Sequence, residues 1–356
     1  MRINFVLPGY HDAPIGGHKV VYEYANHLAR RGHLPRLIMP RTREPRTGLA
    51  GNILNATWAW RTRRKNPKLV TWFDVDPRVE IILVPDLRER GIPPADATFA
   101  TMFNTARYVA RYSAAAGKKM YLIQHFEDWA GDRDEVLATW RLPLHKVVVA
   151  RWLEQIAIEQ GEGGRTTWVP NSIDHSVFRL SKPIEGRPPS VMMLFHNESF
   201  KAIPDGLRAI EIARKAVPEL SVTLFGVPER PDDLDPAFAY HQTPSNLPEL
   251  YNRHAVFLHP SRVEGWGLPA AEAMACGCAL VCAANGGVTE FANEENAFLA
   301  PVADPESLGN RLVEALTQTD LRTRKAAAGR RDIQAFRWER SVDLLLEAID
   351  RAAEPV

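Results

Sequence analysis

No apolar run in this chain approaches the roughly 18 residues that a membrane-spanning helix needs. The opening stretch Met1 to Leu7 stops at Pro8, too early for the apolar core of a secretion signal, and a cytoplasmic protein is expected. Charge of neither sign is in excess: 44 lysines and arginines against 43 acids leave a net charge of +1, which gives no whole-chain signal for a polyanion partner. Cysteine is scarce. Cys276, Cys278 and Cys282 have no histidine partners at zinc-site spacing, so they read as small buried residues carrying reduced thiols. There are no internal repeats beyond two similar α/β halves. The G-x-G-x-x-G fingerprint of nicotinamide dinucleotide binding is missing too, and the second strand, Leu34 to Met39, runs into Pro40-Arg41 instead of ending at an acid. Asp74-Val75-Asp76 has the outline of a metal-binding D-x-D, but it precedes a strand and nothing nearby adds ligands. It reads as a turn, and no metal and no cofactor are expected.

What is present is a globular chain of 356 residues, too long for one core, whose 45% hydrophobic and 24% charged residues suit an enzyme of two domains. The densest stretch is 260–290. An apolar strand, Ala255 to Leu258, ends at His259-Pro260. A loop broken by Gly265 and Gly267 then enters a helix of small residues near Leu268-Pro269, where proline's missing N–H costs nothing. A second buried strand, Ala279 to Ala283, follows, and Gly286-Gly287 is expected to open another helix. Two strand–loop–helix units in succession would aim amide N–H groups at one edge of a parallel sheet, a place suited to a diphosphate. Glu264 and Glu272 flank it, eight positions apart. Uninterrupted helix would separate them by roughly 12 Å of rise, but the glycines break it, freeing the two carboxylates to meet hydroxyls at opposite ends of one ligand. A nucleoside diphosphate sugar has hydroxyls at both ends and an anion between. An ordinary turn with solvated glutamates is the competing reading.

The segment Glu264-Gly265-Trp266-Gly267-Leu268-Pro269-Ala270-Ala271-Glu272 resembles the two-glutamate motif of retaining glycosyltransferases of family 4. The resemblance implies the GT-B fold: two Rossmann-like doubly wound parallel-sheet domains facing a cleft. It implies a metal-independent enzyme that moves a sugar from a nucleoside diphosphate sugar to a hydroxyl acceptor, as in surface polysaccharide or glycolipid synthesis. A sugar-nucleotide epimerase of the same fold and a catalytically silent nucleotide-sugar-binding protein are the alternatives. On the family's pattern, Glu272 binds ribose, Glu264 the sugar hydroxyls, and Gly265, Trp266, Gly267 and Leu268 the donor. Gly16 and Gly17 match a double glycine near the donor phosphates and the acceptor. His125, following the strand Met120 to Gln124, matches a histidine that meets the transferred sugar, although a structural histidine would look the same. Lys201 matches the lysine that binds the diphosphate, while His196 stands where the family has arginine. His125, Glu264 and Lys201 are thus the implied catalytic residues.

Thr167 to Asp174 resembles the family's linker motif, and the polar, proline-rich run Ser181 to Ser190 reads as the boundary. The expected domains are 1–172, which binds the acceptor, and 173–337, which binds the nucleotide sugar, with a helix from about 338 packing back on the first. One segment differs from the rest. Arg41, Arg43, Arg46, Arg61, Arg63, Arg64, Lys65 and Lys68 face a single acid, Glu44, with Trp58 and Trp60 among them. It is either a solvated face or a surface that docks peripherally on the anionic inner face of a membrane, near a lipid-linked acceptor.

Overall fold

Short apolar runs alternating with amphipathic stretches produce strands and helices in turn, and in a computed structural model they form two α/β units. The structure describes residues 1–40 and 70–352, so the basic segment at 41–68 lies outside the described residues.

The first unit comprises Met1–Pro170 together with the chain from Trp338 on. Its strands are β1 (Arg2–Val6), β2 (Leu34–Pro40), β3 (Glu80–Val84), β4 (Ala97–Ala100), β5 (Lys118–Ile123), β6 (His145–Val148) and β7 (Thr166–Trp168). They lie in the order β3-β2-β1-β4-β5-β6-β7, every pairing parallel. Its helices are α1 (Gly16–Arg30), α2 (Phe103–Val109), α3 (Arg133–Trp140) and α4 (Arg151–Glu159). α2 stops at Val109, and Ser113 accepts a hydrogen bond from the Ala115 amide in a separate 3-10 turn. The unit is closed by α10 (Trp338–Arg351), whose buried Val342, Leu345 and Ile349 recur at helical spacing. Trp338 meets Tyr24 edge-on at 5.1 Å, Arg31 pairs with Asp343, and the Ser341 hydroxyl donates to the Pro170 carbonyl.

The second unit, Asn171–Arg337, contains β8 (Ser190–Leu194), β9 (Ser221–Gly226), β10 (Ala239–Gln242), β11 (Val256–His259), β12 (Ala279–Ala283) and β13 (Ala297–Ala300). These too are all parallel, in the order β10-β9-β8-β11-β12-β13. Around them pack α5 (Ile203–Ala216), α6 (Leu247–Arg253), α7 (Leu268–Ala275), α8 (Pro305–Thr317) and α9 (Thr319–Asp332). Near-continuous apolar strands such as Ala279–Ala283 follow from burial on both faces of the sheet.

In each sheet the strand order reverses beside the first strand, between β1 and β4 and between β8 and β11. Ligands of open parallel sheets sit outside the carboxyl ends of strands at such a switch point. Every sequence-expected site residue except Glu272 lies in a loop or first helical turn leaving one of these edges.

The run Ser181 to Ser190 is no loose boundary. Arg187 is buried, and its guanidinium donates to the carbonyls of Pro183, Lys182, His254 and Cys276 at 2.9–3.1 Å. His254 and Cys276 follow the last residues of α6 and α7, where the helix dipoles favour a cation. Arg322, likewise buried, reaches the carbonyls of Ala315 and Leu316 at the end of α8 and that of Arg187. The run therefore belongs to the second unit, held there from within.

Candidate functional site

In the second unit, two loops leave adjacent strand ends at the switch point. From β8 the chain passes Phe195 and His196 and makes a 3-10 turn, Ser199–Lys201. Ala202 then takes a left-handed conformation (φ 50°) that turns it into α5. A Cβ on Gly226, at the end of β9, would stand 2.3 Å from the Phe195 carbonyl oxygen, so only glycine permits this approach. From β11 the chain passes His259, Pro260 and Ser261 to Glu264, and Gly267 (φ 101°) turns it into α7.

Three clamps fix these loops, two by which Arg262 ties the β11 loop to the β8 side and one by which Asn285 ties the β11 loop to the turn after β12. The Arg262 amide donates to the Phe200 carbonyl at 2.8 Å, and the Arg262 guanidinium grips Asp205 at 3.0 Å. The Asn285 side chain donates to the Ser261 carbonyl at 2.8 Å and accepts from the amides of Gly287 and Val288 at 3.1 Å. Gly287 lies flat against the β11 loop, where a Cβ would be 2.5 Å from the Glu264 carbonyl oxygen. The product of these clamps is an ion pair: Lys201 Nζ is 2.7 Å from Glu264 Oε1, and His259 Nε2 stands 3.3 Å from the same oxygen. Burial by itself would raise the Glu264 pKa, but Lys201 and His259 outweigh it and hold the carboxyl well below the usual range, so it is ionised.

Several sequence expectations change here. Gly286-Gly287 opens only a three-residue 3-10 turn, Val288–Glu290, and the amides expected to face an anion are taken by Asn285. Trp266 is 2% exposed and packs against Phe291 and Phe336 at 4.8 and 5.3 Å, so its backbone alone is left to meet a donor. Burying so large an apolar group outweighs leaving it at a polar rim. The pKa of His196 is lowered by burial and then by Lys201, which leaves the ring neutral above its ordinary pKa. Its Nδ1 accepts from the Glu198 amide at 3.1 Å, so the ring proton sits on Nε2. It can donate a hydrogen bond but supplies no positive charge at neutral pH, unlike the arginine of the family's pattern.

Glu272 is buried on α7, and its carboxylate, after burial itself, helps push the Tyr251 hydroxyl well above its usual pKa. Leu268 is half-buried at the first position of α7. All three cysteines are buried, and burial pushes the Cys278 thiol up to about 12. His259, Arg262 and Asn285 went unrecognised in the sequence, although a histidine ending a strand beside the switch point is a signal that could have found the first.

In the first unit, Gly16 and Gly17 are the first two residues of α1, with no acid in its first turn and no side-chain cap. The preceding loop is braced by His18 Nε2, 2.9 Å from the Gly9 carbonyl, and by the Trp72 indole, which donates to the His11 carbonyl at 3.0 Å. Gln124 Nε2 donates to the Gly17 carbonyl at 3.1 Å, which brings the exit of β5, and with it His125, beside the start of α1. His125 Nδ1 carries a proton, because it donates to the Phe126 carbonyl at 2.7 Å. Asp74–Asp76 leads into a turn instead of forming one: the turn starts at Asp76, whose carbonyl accepts from the Val79 amide at 2.9 Å, while Asn26 accepts from the Asp76 amide and donates to the Asp74 carbonyl, and Asp76 pairs with Arg78.

Glu127, two residues past His125, is buried and accepts from the Phe103 amide at the start of α2 at 2.7 Å. Burial raises its pKa to about 8 against the lowering by the Phe103 amide and Tyr121. A raised folded-state pKa means stability that is complete below the group's ordinary pKa of 4.5 and is lost as pH rises toward 8. Glu127→Gln should remove this dependence, gaining on the order of 2 kcal/mol over the parent at pH 9 and nothing at pH 4. Urea unfolding at both pH values measures it; equal differences would show that folding does not shift the Glu127 pKa.

Among the described residues no helix is long and apolar enough to cross a membrane. Residues 237–332, which hold Glu264, Lys-paired in the β11 loop, and Glu272, match the family described as glycosyl transferases group 1. Similar curated proteins include the D-inositol 3-phosphate glycosyltransferase of Salinispora arenicola, 38% identical over 31% of this chain and 25% of that protein. The O-antigen chain mannosyltransferase B of Escherichia coli is 31% identical over 26% of this chain and 24% of its own. The chain thus spans about a quarter of the length of these relatives. Among solved structures, Anabaena HepE in complex with UDP and glucose aligns over 98% of this chain and 99% of its own with TM-score 0.72 and 16% identity. The sucrose-phosphate synthase of Thermosynechococcus elongatus aligns over 98% of both with TM-score 0.74 and 16% identity. The fold is therefore GT-B.

Proposed function

We propose that the chain is a retaining glycosyltransferase of family 4, transferring a sugar from a nucleoside diphosphate sugar to a hydroxyl acceptor without a metal. The observation that carries this reading is the buried Lys201–Glu264 pair at the switch point of the second unit, with Glu272 on the helix that follows. Its supports are the family match over that stretch and the GT-B fold of HepE, a protein seen with UDP and glucose. Breaking a glycosidic bond to a diphosphate builds negative charge on the leaving phosphate while the sugar becomes oxocarbenium-like. Lys201 meets that charge as a cation and His196 Nε2–H as a neutral donor. Glu264 accepts from sugar hydroxyls, and Glu272 accepts paired bonds from the ribose. Gly16, Gly17 and His125 are assigned to the transferred sugar and its acceptor.

Melting curves with a panel of nucleoside diphosphates and their sugars test the reading, since a ligand bound by the native state raises Tm. Glu272→Ala should lose the shift that the parent shows, because a hydrogen bond to a carboxylate contributes about 1.5–3 kcal/mol. No shift with any nucleotide would dispose of the nucleotide-sugar reading. A shift without transfer would favour the silent binding protein, which the neutral His196 in place of arginine makes the second reading.

The basic, tryptophan-bearing segment 41–68 supports a lipid-linked acceptor. Each basic group near an anionic bilayer contributes roughly 1 kcal/mol, and tryptophan favours the interface. The protein should therefore sediment with anionic vesicles at low salt, and the variant with Arg61, Arg63, Arg64 and Lys65 changed to glutamine should stay in the supernatant. Parent protein left in the supernatant would point to a soluble acceptor.

A further inference from the structure

We propose that Glu264 serves as a resident counter-anion that takes Lys201 back from the nucleoside diphosphate left after transfer, so that the site holds the intact sugar nucleotide in preference to its product. This rests on the reading of the site given above and adds a role in product release.

The pair that Lys201 and Glu264 form is shielded, with side chains 16% and 7% exposed, so salt and solvent screen it little. An incoming diphosphate must draw on the same ammonium. Lys201 has three donors and can span two anions, but whatever it gives the diphosphate is withdrawn from a buried carboxylate. What Glu264 receives in exchange depends on the ligand. An intact sugar nucleotide brings hydroxyls that donate to the carboxylate and replace what Lys201 withdraws. A bare diphosphate brings none, and Glu264 keeps only His259, 3.3 Å away. The same carboxylate therefore favours the donor and opposes the product.

Glu264 is also prevented from yielding. Its backbone is backed by Gly287, where a Cβ would be 2.9 Å from the Glu264 Cβ, and Asn285 ties the loop at Ser261. On the other side, the Arg262 amide is bonded to Phe200, next to Lys201 in the chain. A carboxylate held this firmly stays facing the ammonium while ligands come and go, and regains it once transfer has removed the sugar.

Isothermal titration with matched pairs tests this: UDP and UDP-glucose, GDP and GDP-mannose, ADP and ADP-glucose, with inorganic pyrophosphate as a base-free probe. The parent should bind the sugar nucleotide of its preferred pair several-fold more tightly than the diphosphate. This measurement needs no variant, and the reverse order would overturn the proposal. Glu264→Gln, which keeps the shape and removes the charge, should bind the diphosphate about tenfold more tightly and the sugar nucleotide no more tightly, collapsing the preference. In a Lys201→Gln background the same change should gain less than threefold, since no ammonium remains to be contested. An equal gain in both backgrounds would mean simple repulsion and refute the recapture. Unchanged diphosphate affinity in Glu264→Gln, with the parent binding, sinks the proposal while the nucleotide-sugar site stands. A parent that binds none of the probes brings down both.

Discussion

Lys201→Met should lower the turnover of sugar transfer by about 10²–10³-fold, the effect of removing one preorganised group from developing charge. The same change should destabilise the protein, because it leaves the Glu264 carboxylate buried beside His259 with its nearest cation gone. Breaking a buried pair by deleting one partner costs about 3–5 kcal/mol, whereas replacing both with neutral groups can be nearly neutral. Glu264→Gln in the Lys201→Met background should therefore restore much of the stability and none of the activity. Initial rates and urea unfolding of the two single variants and the double variant decide it. Activity that returned with stability would reduce Lys201 to a structural role.

Arg187→Met should cost a comparable 3–5 kcal/mol in the second unit without touching the site's chemistry. Among the described residues the guanidinium has no carboxylate partner; the carbonyl oxygens of Lys182 and Pro183 and those at the ends of α6 and α7 satisfy it instead. Methionine fills similar volume but donates nothing, so several buried carbonyls lose their partner at once. Denaturant unfolding together with nucleotide affinity measured below the transition separates the two effects. An affinity loss in the folded variant would mean that Arg187 also shapes the ligand site.

Much of this was legible in the chain. The alternation of apolar runs marked both sheets, and the glycines at 265 and 267 marked the break that separates Glu264 from Glu272. What stayed hidden depended on contacts between loops distant in sequence. Asn285 looks like any residue before a glycine pair, and only its bonds to Ser261 and to its own turn reveal a clamp in place of a helix start. His259 ends a strand in the sequence, a place that marks it for attention, but the strand's pattern does not show that its ring faces Glu264 in the next loop. Trp266 lies inside a motif expected to face a ligand, yet it is drawn into a cluster with Phe291 and Phe336, far along the chain. The run at 181–190 has a linker's composition, yet Arg187, whose charge composition counts toward exposure, bolts it down from within, as do the Ser181 and Lys182 amides bonded to Asn252.

The first unit is discontinuous, and that bears on the order in which a ribosome can complete it. Residues 1–170 emerge first but lack α10, so Tyr24 and His27 on α1 have no Trp338 to cover them until the entire second unit has been made. The second unit, a single uninterrupted stretch, has all its strands before that last helix leaves the exit tunnel. Domains generally fold as units during synthesis, and exposed apolar surface is where nascent chains aggregate. The earlier-made half is thus the later-finished one, and the time taken to translate 171–337 is the interval over which its α1 face lacks the cover of Trp338.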